Sequence, residues 1–145
     1  MPDETKFLEA LIGEMKKVKA SDGKATIAPP RQVGWTFNVL ARANYDMAQS
    51  NGALSHMKFE EASRFASAYT LQQELVIRQT EAWTSLAKMS ACSVGLDDVA
   101  RPQLEDAACL QTAAREMLVR VQTVANIARF VKKAYADARG TPAGH

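Results

Sequence analysis

Few residues in this chain have the types and spacing that catalysis or ligand binding requires. His56 is one of two histidines in 145 residues. It stands in "ANYDMAQSNGALSHMKFEE", residues 43–61. A histidine general base needs a nucleophile and an orienting partner. No Asp or Glu sits between Asn51 and Lys58 to tune it. His56 therefore reads as a capping or solvent-facing residue at a corner between helices. Glu60, Glu61, Glu74 and Glu81 are spread along one long helical stretch. A hydrolytic acid pair needs two carboxylates across a cleft, whereas carboxylates on a long helix are ordinarily solvated.

No His-x-x-Glu-His, Cys-x-x-Cys or Glu-x-x-His spacing occurs, so no metal site is expected. Gly34, Gly52 and Gly95 are isolated and make no phosphate-cradling loop. No catalytic residue and no cofactor are assigned. Cys92 and Cys109 stand about equally far from a turn expected near residues 99–101. In an antiparallel helix pair they would face each other. A disulfide there would stabilise by about 3 kcal/mol and favour an oxidising compartment. The commoner alternative is two reduced, buried thiols acting as small apolar residues.

The elements that must position these residues are helical. Gly and Pro cluster at "SDGKATIAPP", "SNGALSHM", "SVGLDDVARP" and "RGTPAGH". Between the clusters run stretches rich in helix-favouring residues. A first helix is expected over about 3–19, with Phe7, Leu8, Leu11, Ile12, Met15 and Val18 on one face. A second is expected over about 32–50. A third runs from about 58 to 89, with Phe59, Ala62, Ala66, Tyr69, Gln73, Val76, Thr80, Trp83 and Ala87 as its seam. A flanking row of Phe65, Ala68, Leu71, Leu75, Ala82 and Leu86 widens that face. A fourth runs from about 102 to 138, with Leu104, Ala107, Ala114, Leu118, Val121, Ala125, Ala128 and Tyr135 as its seam.

The expected fold is all-α: a bundle built on a long antiparallel helix hairpin with two shorter helices against it. It is read as one domain over 1–145. An N-terminal helix and linker occupy 1–30, the bundle 31–139 and a flexible tail 140–145. Apolar content of 47%, charged content of 23% and a net charge of +2 are ordinary for a soluble globular chain. No run approaches the roughly 18 apolar residues of a membrane helix. The opening "MPDETKFLEALIGEMKK" is a poor secretory signal. The chain as given reads as soluble, and a soluble piece of an anchored protein would read the same.

Two polar features carry competing readings. Gln73 and Thr80 on the expected seam would fix helix register. The rival is a ligand pocket between helices lined by Tyr69, Gln73, Thr80 and Trp83. "RFVKKAYADAR", residues 129–139, sets four cations against Asp137. Basic residues suit a helix C-terminus, and Phe130 and Tyr135 fall at seam spacing. That reading outweighs contact with phosphate or anionic lipid, and no nucleic-acid partner is expected.

"YDMAQSNGALSHMKFEEASRFASAYTLQQ", residues 45–73, resembles uncharacterised bacterial helical proteins. These carry an aromatic-Asp pair, then Gly-Ala-Leu-x-x-Met, then a long helix with an aromatic-rich start. Tyr45-Asp46, Gly52-Ala53-Leu54, Met57 and Tyr69 match, and the resemblance covers about residues 43–90. The family more often has Trp at position 45 and Pro at 58, and a membrane-spanning helix precedes its soluble domain. This chain lacks that helix. The resemblance implies a bundle on the outer side of a bacterial membrane, anchored only by a segment absent from this chain, and it carries over no site residues. A non-enzymatic interaction or assembly module, self-associating or bound to a protein partner, is the expected function. The alternative is a sensory or small-ligand-binding bundle. The resemblance points to a periplasmic location, with the cytoplasm as the alternative.

Overall fold

A computed structural model gives the structure of the chain and describes residues 2–28, 35, 52–94 and 100–139. The protein is all-α, and its two long helices pack as an antiparallel hairpin beside a shorter third. Helix α1 spans Pro2–Ala20, α2 Phe59–Ser93 and α3 Leu104–Ala138. A short 3-10 turn, Ala53–His56, precedes α2. Of the second helix expected over 32–50 only Trp35 is described, and it is not helical; the rest, with Tyr45-Asp46, lies outside the described residues, as does the 140–145 tail.

The chain forms two compact units, and each long helix contributes one half to each. The first unit contains α1, the second half of α2 and the first half of α3. Here α1 buries Leu8, Leu11, Ile12, Met15 and Val18, the face its periodicity defines. Phe7 is only half-buried and meets Trp35 edge-on, ring centroids 6.1 Å apart. In this unit α3 buries Ala107, Leu110, Gln111, Ala113, Ala114, Met117 and Val121. That face is broad because a helix that touches two neighbours needs more than a single stripe. Alanines at 107, 113 and 114 keep it shallow.

Helix α1 ends in a Schellman cap. The Gly23 N–H donates to the Val18 carbonyl (2.9 Å) and the Asp22 N–H to the Lys19 carbonyl (3.4 Å). Asp22 takes φ 54° and Gly23 φ 77°; Asp is one of the few non-glycine residues that tolerates the left-handed region. The chain then turns so that the Ile27 N–H donates to the Ala100 carbonyl at 2.9 Å. Pro102 is fully buried beside that junction. It lies two residues before α3 rather than in its first turn. The start of α3 is instead capped by Asp106, whose carboxylate accepts from the Gln103 N–H (3.3 Å), half of a capping box.

In the second unit α2 buries Ala68, Tyr69, Gln72 and Leu75, and α3 buries Val124, Val131 and Ala138. The Tyr135 hydroxyl donates to the buried Gln72 carbonyl oxygen. The α2 seam thus runs through 68, 72, 75, 79, 82, 85 and 89. The expected seam lay one residue further on, a rotation of about 100°. The flanking row, Ala68, Leu75 and Ala82, is the true core. The buried polar residues of this seam are Gln72 and Gln79, whereas Gln73 and Thr80 are exposed. On α3 the expected Ala107, Ala114 and Val121 are buried, but Leu110, Met117, Val124 and Val131 join them in place of Leu118 and Ala125.

Exposed hydroxyls on both long helices bond inward to their own helix. Ser67 donates to the Ser63 carbonyl, Thr70 to Ala66, Thr84 to Thr80, Thr112 to Ala108 and Thr123 to Val119.

Candidate functional site

Gly52 takes φ 73°, the left-handed conformation that a helix-ending glycine provides, and the 3-10 turn follows directly. The Ser55 N–H and hydroxyl both donate to the Gly52 carbonyl. This closes the turn and leaves His56 exposed at its end. The carboxylates of α2 form no acid pair. Glu60 and Glu61 are exposed in its first turn. Glu74 accepts from Arg78 one turn on (2.5 Å), and Glu81 accepts from Arg120 of α3 (2.6 Å).

The proposed pocket residues are not gathered in an interior. Tyr69 is buried in the second unit, where Gln73 is exposed. In the first unit Thr80 is exposed, and Trp83, expected on the seam, is 46% exposed. The physical reason is the seam rotation: the position one residue earlier, Ala82, takes the inward place.

Cys92 and Cys109 are joined by a disulfide with Cα atoms 5.7 Å apart. The reading of two reduced, buried thiols is corrected on both counts. The pair is bonded, with Cys92 half-buried and Cys109 exposed. The bond closes the connection that carries the Ala100 carbonyl and buried Pro102, so it restrains the segment on which Ile27 docks.

The spacing that pairs Cys92 with Cys109 also pairs Ser85 with Glu116 and Glu81 with Arg120, in a polar ladder along the α2–α3 seam. The buried Ser85 hydroxyl donates to Glu116 (3.0 Å), Lys88 donates to the same carboxylate (3.1 Å) and Arg120 reaches Glu81. Lys88 first, and then Ser85, hold the Glu116 carboxyl below the ordinary glutamate value. A carboxyl whose folded pKa is lowered adds stability above its unfolded pKa and loses it as pH falls through the folded one. Glu116→Gln should therefore flatten the acid side of the stability curve, from about pH 5 downward. Urea melts of both proteins across that range check it. An unchanged acid slope would remove Glu116 from the ladder's energetics.

Among the described residues, no group of three or more His, Cys, Asp or Glu is placed to hold a metal ion, and no helix is long and apolar enough to cross a membrane. Among the exposed side chains of the long helices are large apolar ones: Ile77 and Trp83 on α2, Val119 and Phe130 on α3. The architecture is that of a disulfide-bonded all-α hairpin bundle. Comparison with protein-family models, curated proteins and solved structures gives no match.

Proposed function

We propose that this chain is a non-enzymatic helical interaction module that serves assembly, through self-association or a protein partner. The observation that carries the reading is the set of large apolar side chains turned away from a core that other residues already fill. Ile77 and Val119 are more than half exposed, although alanines and valines pack inside. Apolar side chains at such positions gain from burial only if another surface covers them.

The second part of the proposal is the compartment. The Cys92–Cys109 bond suits an oxidising environment, and the resemblance of residues 43–90 points to the outer side of a bacterial inner membrane. The ligand-binding alternative retains Tyr69 alone of its four residues inside the protein, and nothing in the fold favours it.

Photo-crosslinking residues placed at 77 and 119 in producing cells, with light scattering on the purified chain, test the reading. The expected result is an adduct with a second copy or another protein, absent from a control at exposed Glu9 on α1. A monomer at all concentrations together with no adduct from either position would overturn it.

A further inference from the structure

Arg139 donates to the Tyr135 carbonyl at the end of α3 (3.3 Å), but Lys132 and Lys133 have lost both ordinary explanations of this basic stretch. The first was the helix dipole. The last turn of α3 contains no basic residue, so Lys132 and Lys133 lie beyond the reach of the terminal carbonyls. The second was that the aromatics belong to the seam. Tyr135 does turn inward, to Gln72, but Phe130 is 62% exposed.

We propose that the outward face of α3 around Phe130 is a contact for an anionic phospholipid bilayer. Arg129, Lys132 and Lys133 are exposed on this stretch of α3; Lys133 lies one turn on from Phe130 and Arg129 beside it, while Lys132 stands on the opposite flank of the helix. Among the described residues Arg129 bonds only the neutral Asn126 side chain, and no acid pairs with Lys132 or Lys133. Asp137, one turn after Lys133, offsets one charge of the three, and Arg139 restores it.

An exposed aromatic flanked by cations is the pattern of a helix lying in a membrane interface. The ring enters the acyl boundary and the long basic side chains reach the headgroups. The same residues suit nucleic acid less well. Stacking a base needs a groove that tracks the strand, whereas Phe130 stands on the convex face of a single helix. The contact requires no spanning segment, and it stands independently of the protein–protein reading.

Vesicle co-sedimentation of the full chain tests it, with phosphatidylcholine alone and with phosphatidylcholine containing about one third phosphatidylglycerol. Each basic residue near an anionic surface contributes about a fivefold gain in partition. The chain should bind the anionic vesicles at least about tenfold better than the neutral ones, and the difference should collapse in about 1 M salt. K132Q/K133Q should lower anionic-vesicle binding about thirtyfold. F130S should lower binding while leaving the salt dependence in place. Both variants alter exposed side chains, and a thermal melt confirms their fold; the wild-type dependence on lipid charge and salt decides the question even if they unfold. Equal partition into both vesicle types, no binding to either, or undiminished binding by a folded K132Q/K133Q would overturn the proposal. So would tighter binding to a single-stranded oligonucleotide than to the anionic vesicles.

Discussion

Met117→Ala is expected to lower the free energy of unfolding by about 2–5 kcal/mol, the range for truncating a fully buried large side chain. Met117 has no exposed surface and lies in the broad face of α3, in the unit that also contains α1. Neighbouring Ala113 and Ala114 are too small to refill the space. Trp83→Ala, which a buried seam position would make at least as costly, should cost less than half as much. Nearly half of that side chain is already in water, so truncation forfeits only part of its transfer free energy. Urea denaturation of the two variants side by side checks the order. A Trp83 variant less stable than the Met117 variant would place the α2 seam back where hydrophobic spacing alone puts it.

Removing the disulfide is the second large effect. C92S/C109S should lose about 3 kcal/mol, because the bond closes a short loop and restricts the unfolded chain. The two cysteines are 17 residues apart in sequence. The loss should be matched by the wild-type chain melted under a reductant, since both remove the same constraint. Thiol counting on protein made in an oxidising compartment should find no free thiol until reductant is added. Two free thiols there would refute both the bond and the support it gives to an extracytoplasmic setting.

How much of this was legible depended on what each face is made of. The stripe of α1 is written in Leu, Ile, Met and Val at helical spacing, and every one of its aliphatic positions is buried. Its end was legible too, because Ser21-Asp22-Gly23 carries residues that accept the left-handed conformation. The seam of α2 was not. Its inward positions include Ala68, Gln72, Gln79, Ala82 and Ser85, while outward positions carry Ile77 and Trp83. Hydrophobicity then hardly separates the two sides, and a shift of one residue follows. The hairpin itself could be found by another route, from the equal distances of Cys92 and Cys109 to the turn. Those distances also relate Ser85 to Glu116 and Glu81 to Arg120, which are bonded across the same seam. The exposure of Phe130 could not be read beforehand, because it falls at a spacing that serves a seam as well as a surface.

The inward-bonded hydroxyls alter what solvent meets on the long helices. Ser67, Thr70, Thr84, Thr112 and Thr123 each give their proton to a carbonyl one turn back. A hydroxyl has one hydrogen to donate and two lone pairs to offer. Surrounding water is left with the lone pairs alone at these positions, and the methyl groups of the four threonines sit among them. At these five positions water can only donate, so each hydroxyl hydrates as an acceptor beside its methyl or methylene carbon and not as the two-way partner its residue type suggests.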